Sequence, residues 1–476
     1  MRSLLSRFWN SPTYTTWGSF LANSLSALIV LPLVLTKFST AEITVWYLML
    51  TFVGLQFVVE SGFSTTFSRI ITYLTGGVAI NNLRRPSTSG TGNLNAGDLN
   101  RVYSTMQVAY FGLGIAWTTL LLVTGALALQ RPISHVQDPR SAWIAWGVIV
   151  AVSFIAFQGN RYVSYLMGLN EVALLRRWDA IAAIGAIITS FIILFSGGGL
   201  LALVIANQAW LLLKVALNAW LARSAADGLM RSFSSQSFNK QVFNAIWPSA
   251  WRSGVGVLMS YGIIQSSGII YAQVGSTPDV ASYLLGMRVM QIITQFSSAP
   301  FYSKIPSYSR LYAEGKVAEL LQVAQRGMRL SHWAFVIGFG STAFLAAPIL
   351  KYLGSNASFP NPLLWILMGL AFFSERFGAM HIQLYSTTNK IIWHIANGVS
   401  GTIYLAVSLG LLNLIGAYAF PIGIMAGYYG FYSWYSASHS YREFSLKPIA
   451  FEKKTSFGPV AVLLTILVLI ELQSRI

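Results

Sequence analysis

The feature that most constrains this chain is the recurrence of apolar segments long enough to cross a membrane. A bilayer core needs roughly 20 apolar residues in a helix. Of the 476 residues, 55% are apolar and 9% are charged, which is too little charge for a water-soluble surface. Because lipid satisfies no backbone hydrogen bond, each segment must be helical. The sequence therefore predicts an all-α polytopic membrane protein.

Hydropathy predicts about twelve transmembrane helices, six in each half of the chain. The predicted spans are 14–35, 43–63, 103–129, 142–166, 178–195 and 200–221, then 249–271, 280–302, 331–353, 363–385, 391–412 and 417–436. The first span is too long for a signal-peptide core and is predicted to be retained. A last apolar segment, 457–472, is either a short thirteenth span or a helix in the membrane interface.

The net charge of +17 is explained by topology. With a cytoplasmic N-terminus, about 21 of the 31 Lys and Arg lie in cytoplasmic loops or at span ends, and about five lie outside, as the positive-inside rule requires. No soluble basic domain is left to bind nucleic acid. We predict a multi-pass protein with a cytoplasmic N-terminus, in contact with membrane lipids and without a nucleic-acid partner.

The two halves of the sequence resemble each other. STAEI at 39–43 matches STPDV at 276–280, FSRI at 67–70 matches YSKI at 302–305, and Trp146 pairs with Trp365. Six spans per repeat give both copies the same orientation, which predicts two parallel six-helix bundles with a cleft between them near the membrane midplane. The predicted domains are 1–228, 229–448 and a tail, 449–476, that contains the short apolar helix.

Two motifs resemble those of a known family. IPSYSRLYAEGKVAELLQVAQRGMR at 305–329 resembles the loop and basic helix after the eighth span of polysaccharide repeat-unit flippases (Wzx type), which belong to the MATE-like exporter superfamily. VVESGFSTTFSR at 58–69 resembles the acidic-x-Gly signature that ends that family's second span.

The resemblance implies a flippase for O-antigen or exopolysaccharide biosynthesis in the bacterial inner (cytoplasmic) membrane. Its substrate would be an oligosaccharide linked to undecaprenyl pyrophosphate, moved from the cytoplasmic to the periplasmic leaflet by alternating access. A polysaccharide polymerase or export machinery would be a partner.

Polar residues inside the spans are the candidates for a substrate site, since a charge at the bilayer centre usually faces a cavity or a partner. Arg288 lies deepest and could give bidentate hydrogen bonds to a pyrophosphate or an anionic sugar; an ion pair with an acid such as Glu60 is the structural alternative. Arg252 either receives the pyrophosphate at the cytoplasmic mouth or extends to the headgroups. The other predicted substrate-binding residues are Asn23, Tyr261, Gln265 and Gln291, although such residues also join membrane helices.

Glu60 is the candidate ion-coupling residue, because a carboxylate removed from water could bind and release a proton. The alternative is a helix-end carboxylate paired with Arg69 or with an arginine of the other half. The coupling ion would be H⁺ or Na⁺.

Other residues of the spans are predicted to have structural roles. Arg161 and Lys214 are expected to extend to the headgroups. Glu375 and Arg376 are expected to brace helices through different partners, because sequence neighbours diverge around a helix. Tyr271 and Tyr283 could stack on sugars but are expected in the interfacial aromatic belt.

Several functions are disfavoured by what the sequence lacks. It contains no cysteine, and its five histidines show no ligand spacing, so no metal site is predicted. No Walker loop is present, and we predict no cofactor. Short external loops disfavour an enzyme.

The alternatives are a lipid II-type flippase, a cation-coupled drug exporter, for which cavity carboxylates rather than arginines are expected, and, outside transport, a membrane glycan polymerase or ligase.

Overall fold

The computed structural model of the protein describes residues 29–75, 96–233, 238–302, 304–305, 308, 311–312, 316–388, 390 and 392–473. In this part of the chain every regular element is helical and no strand occurs. By length and composition, seven of the described helices could cross a membrane, and two bent helix pairs raise the number to nine. The predicted all-α membrane fold is confirmed.

The helices coincide with the predicted spans from the second to the twelfth, and residues 29–37 are the helical end of the first. In the first half they are α1 (Thr40–Thr75), α2 (Ala96–Ser134), α3 (Pro139–Gly168), α4 (Val172–Phe195), α5 (Leu200–Ser224) and α6 (Lys240–Val257). In the second half they are α7 (Ile263–Val274), α8 (Thr277–Tyr302), α9 (Val317–Leu353), α10 (Pro362–Ser386), α11 (Trp393–Ile415), α12 (Ala419–Gly427), α13 (Ser433–Glu443), α14 (Pro448–Thr455) and α15 (Phe457–Gln473). Two π-helical turns, Leu258–Gly262 and Tyr428–Tyr432, lie between α6 and α7 and between α12 and α13.

The chain divides into two compact units, Met1–Leu258 and Met259–Ile476. The border between these compact units falls inside the seventh predicted span. The reason is that α6 packs on α1, where the rings of Trp247 and Phe63 lie 6.1 Å apart. In the C-terminal tail, α14 and α15 pack on α9 within the second unit. The predicted domain bounds at 228/229 and 448/449 stay predictions.

Helix α3 is the centre of the first unit. Asp138 caps its N-terminus by accepting a hydrogen bond from the Ser141 amide at 3.1 Å, and Pro139 begins the helix. Hydrogen bonds from the Ser141 hydroxyl and amide hold the pKa of Asp138 below its usual range. The helix packs against α1, α2 and α5. Trp146 is buried in this core against Gly125 of α2, where a Cβ atom would collide with the indole ring.

Helix α10 is the centre of the second unit, where it packs against α8, α9, α12 and α13. Trp365 is fully buried there and stacks on Phe339 of α9, with ring centroids 5.3 Å apart. The two tryptophans that the repeat pairs, Trp146 and Trp365, therefore both lie in the cores of their units.

The basic amphipathic segment and the ninth span form one continuous helix, α9, of 37 residues. The helix continues through Gly327, which is buried, and a Cβ atom there would lie 2.8 Å from the Tyr308 hydroxyl. The first turns of α9 bury Leu320, Ala324 and Met328 in a cluster with Phe301 and Tyr308. Packing of this apolar stripe extends the helix beyond the apolar span.

Candidate functional site

Glu60 is buried in the first unit at the end of a row of hydroxyl groups. The Tyr110 hydroxyl, from α2, donates to Oε1 of Glu60 at 2.8 Å. The Ser164 hydroxyl, from α3, lies 3.1 Å from that of Tyr110 and 3.0 Å from that of Ser64, which lies one turn after Glu60 on α1. Three helices therefore contribute to one buried polar cluster.

Hydrogen bonds in this row have a direction. Because Tyr110 gives its only hydroxyl hydrogen to the ionised carboxylate, Ser164 must donate to Tyr110. Ser64 can donate to Ser164 or directly to the carboxylate. Each of these hydrogen bonds then points toward the carboxylate of Glu60. Such a row satisfies a buried anion, which otherwise is expensive to remove from water.

The structural alternative for Glu60, an ion pair with Arg69 or with an arginine of the other half, stays a prediction. Among the side chains that the structure describes in the first unit, no Lys or Arg lies within 4 Å of the Glu60 carboxylate. The side chain of Arg69 lies outside the described part. Sequence reasoning missed Tyr110 and Ser164, since Tyr110 is 50 residues from Glu60 and no local pattern links them.

Three of the predicted substrate-binding residues are joined in the second unit. Gln265 Nε2, on α7, donates to the Tyr261 hydroxyl at 2.7 Å. Gln291 Nε2, on α8, donates to Gln265 Oε1 at 2.5 Å. Tyr261 is 39% exposed, so the row reaches the surface of its unit.

Arg288 lies one turn before Gln291 on α8, and Gln295 lies one turn after it. Residues spaced in this way share a helix face, so α8 carries a polar stripe led by an arginine. Arg288 is half-buried, and among the residues that the structure describes in the second unit no hydrogen bond or ion pair joins it to a partner. A guanidinium inside a membrane helix without an acidic partner is suited to an anionic ligand.

Two of the predicted substrate-binding residues, Arg252 and Asn23, lie outside the part of the second unit that the structure describes. Arg252 belongs to the first unit, where it is exposed on α6 with its guanidinium carbon 5.8 Å from the Trp251 ring. Asn23 lies outside the described residues. The role of each in substrate binding stays a prediction.

The other intramembrane cations contact groups in their own units. Lys214 was expected to extend to the headgroups, but it pairs with Asp179 at 2.8 Å. Arg161 donates to the Tyr162 hydroxyl at 3.0 Å. These contacts give both cations structural partners.

Arg376 has the bracing role that was expected for it. It is 4% exposed and donates to the Thr294 carbonyl of α8 at 2.9 Å. The expectation that Glu375 and Arg376 would not meet was wrong, since their side chains approach to 3.7 Å. The long, flexible side chains bridge the angle between them.

The expected belt position of two tyrosines was also wrong. Tyr271 and Tyr283 are buried, and their rings lie 5.5 Å apart next to Phe420. The Tyr283 hydroxyl lies 2.6 Å from that of Ser267. Neither ring is free to stack on a sugar.

No cluster of three or more His, Asp or Glu in the described part of the chain could hold a metal ion. Two buried histidines, His332 and His381, lie instead in the second unit. His381 Nε2 is 3.1 Å from the carboxylate of Glu452 on α14.

No protein-family model matches the chain, and no curated protein matches its sequence. Solved structures do match its fold. An inward-facing multidrug resistance MATE family transporter of the MOP superfamily is 16% identical, with a TM-score of 0.59, over 91% of this chain and 99% of that one. The lipid II flippase MurJ, in an inward closed conformation, is 13% identical, with a TM-score of 0.60, over 97% of both chains.

A third similar structure is a MOP superfamily transporter from Pyrococcus furiosus whose binding pocket is described as reversed in polarity. It is 15% identical, with a TM-score of 0.52, over 94% of this chain and 98% of that one. At these identities the comparison establishes the fold and not the substrate. The protein is therefore an all-α membrane protein with the fold of MOP superfamily transporters.

Proposed function

We propose that this protein is a flippase for lipid-linked oligosaccharide. It moves undecaprenyl-pyrophosphate-linked repeat units from the cytoplasmic to the periplasmic leaflet of the inner membrane, by alternating access, for polysaccharide biosynthesis. It is a transporter and not an enzyme, and it passes its substrate to a polysaccharide polymerase or export machinery.

The observation that carries the proposal is the arginine-led polar stripe of α8. Arg288 has no acidic partner in the described part of its own unit, and Gln291 connects the stripe to Gln265 and Tyr261. A pyrophosphate needs a cation with several donors, and the attached sugars need amide and hydroxyl groups. This row supplies both. An exporter of cationic drugs would need carboxylates at the same place.

The row that ends at Glu60 supports proton coupling. In the ionised state all hydrogen bonds of the row point to the carboxylate. A proton on Glu60 would allow it to donate to Tyr110, and the row through Ser164 could then reverse without losing a bond. Glu60 is thus suited to exist in both protonation states, as a coupling residue must.

A second candidate substrate is lipid II, which the solved flippase MurJ handles. Its fold is as similar to this chain as that of the MATE transporter. Lipid II also carries a pyrophosphate, so Arg288 would serve either substrate. The two candidates differ in the sugar, which contacts to the phosphate do not distinguish.

The test is to delete the gene and measure the amount and membrane side of lipid-linked glycan, with rescue by wild-type protein and by variants at equal protein levels. We expect completed units to accumulate facing the cytoplasm and to be cleared by the wild type. Arg288→Ala should lower the flipping rate by about 10-fold to 100-fold, because a hydrogen-bonded charge is lost. Arg288→Lys, which keeps the charge but not the bidentate geometry, should be intermediate.

Lys351→Ala is the matched control, because it removes an exposed cation at the end of α9 and should transport normally. Normal flipping by Arg288→Ala would contradict the assignment of the anion site. Periplasmic accumulation of unpolymerised units after deletion would point to a polymerase. Accumulation of lipid II alone would identify the second candidate as the substrate.

A further inference from the structure

A cavity of about 700 Å³ lies between α10, α13 and α15 of the second unit. Its lining is mainly aromatic and aliphatic; it includes Phe373, Phe377, Trp434, Phe457, Val460 and Leu464. Three of these side chains, Trp434, Phe457 and Leu464, are more than half exposed. The cavity is therefore open on the outer face of the unit, and its volume is typical of a small-molecule site.

Helix α14 is fixed at the edge of this cavity by the carboxylate of Glu452. Tyr441 and Thr455 donate to it at 2.7 Å, and the Ser456 hydroxyl also donates to it. His381 of α10 also contacts this carboxylate, so its hydrogen bonds all come from the side of α14 that faces the protein. The only acid of α14 is buried, so its outer face is free of negative charge.

The outer face of α14 is basic and apolar. Lys447, Lys453 and Lys454 are exposed, and Ile449 is 75% exposed. Lys453 and Lys454 lie between Glu452 and Ser456, which both line the cavity. Neither lysine lines the cavity, but their four-carbon stems allow the ammonium groups to extend toward its opening. A short helix with this composition, followed by the apolar helix α15, is typical of the membrane interface.

Charge and shape together select the occupant. Lysines at the interface attract phosphate headgroups, and an apolar cavity beside them accommodates an acyl chain. We propose that Lys453, Lys454 and the cavity between α10, α13 and α15 form a binding site for an anionic phospholipid of the bilayer. The headgroup phosphate lies on the two lysines, and one acyl chain lies along Phe457 and Leu464. This site does not depend on what the protein transports.

The test uses full-length protein in nanodiscs of phosphatidylcholine that contain a phosphatidylglycerol with a photoreactive group in its acyl chain. After irradiation and digestion, we expect adducts on the peptide that contains Phe457 and Leu464. Unlabelled phosphatidylglycerol should compete, and phosphatidylcholine should not. Lys453→Gln with Lys454→Gln should weaken this competition, by roughly 5-fold for each lysine removed.

Two further variants distinguish binding at this site from a general effect of positive charge on lipid binding. Lys240→Gln with Lys351→Gln removes two exposed lysines elsewhere and should leave the adducts unchanged. Leu464→Trp fills the cavity from its exposed side, with both lysines intact, and should abolish them. Adducts that are insensitive to the lysines, equal competition by phosphatidylcholine, or displacement only by a polyprenyl pyrophosphate would each overturn the proposal.

Discussion

At the scale of single residues, the carboxylate of Glu60 and the guanidinium of Arg288 differ in their partners. Glu60 is buried and receives hydrogen bonds from its own unit. Arg288 is half-buried, without an acidic partner among the described residues of its own unit. A buried carboxylate with its own hydrogen-bond donors can remain ionised until it binds a proton. An unpaired cation in a membrane span instead favours binding of an anion from outside the protein.

Replacing Glu60 tests the proton-coupling role. We expect Glu60→Gln to keep flipping at a lower rate while losing its dependence on the proton gradient, because the amide cannot ionise. Tyr110→Phe keeps the carboxylate but removes one donor from a buried anion. That change should retain the gradient dependence and lower the stability by about 1–3 kcal/mol.

The measurement is transport of lipid-linked glycan into vesicles with and without an imposed pH gradient. Glu171→Gln, an exposed acid outside the cluster, serves as the control and should behave as the wild type. Undiminished gradient dependence in Glu60→Gln would rule out Glu60 as the coupling residue.

At the scale of helices, small residues decide how closely neighbours approach. Gly423 and Gly427 of α12 lie one turn apart and face α11. A Cβ atom at Gly427 would collide with the Ser400 carbonyl oxygen. This is the small-xxx-small arrangement by which membrane helices bring their backbones together.

Gly427→Ala should therefore destabilise the protein, by about 1–3 kcal/mol, because the α11–α12 contact must open. Gly410→Ala is a matched control in α11, since a Cβ atom there meets nothing within 4 Å. It should be neutral or stabilising, by up to about 1 kcal/mol. Thermal unfolding of the two purified variants measures the difference. Equal melting temperatures would show that the close approach is not required.

At the scale of the whole molecule, the orientation predicted from charge can be tested without background because the chain contains no cysteine. Ser134→Cys and Ser196→Cys lie at helix ends predicted to face outward, and Ser224→Cys lies at one predicted to face the cytoplasm. All three positions are exposed. In intact spheroplasts, we expect a membrane-impermeant maleimide to label the first two only.

Permeabilised cells provide the control, since all three variants should then be labelled. Labelling of Ser224→Cys in intact cells, with Ser134→Cys protected, would invert the topology. The side on which Lys453 and Lys454 meet lipid would be inverted with it.

The class, the spans and the repeat of this protein can be read from the amino-acid sequence. Hydropathy is a local property of about 20 residues, so each predicted span from the second to the twelfth coincides with a described helix. Charge asymmetry between loops is also readable along the chain, and so is the pairing of Trp146 with Trp365. The polar residues of α7 and α8 can likewise be recognised from the sequence, because they interrupt apolar segments.

Which polar groups contact each other depends on the packing of the helices and is visible only in the folded protein. Tyr110 and Ser164 join Glu60 because α1, α2 and α3 pack together, which no local pattern encodes. Helix packing also pairs Lys214 with Asp179 and buries Tyr271. The border between the compact units lies in the seventh span because α6 packs on α1. Contacts between side chains depend on which helix faces adjoin, and that is settled by packing rather than by hydropathy.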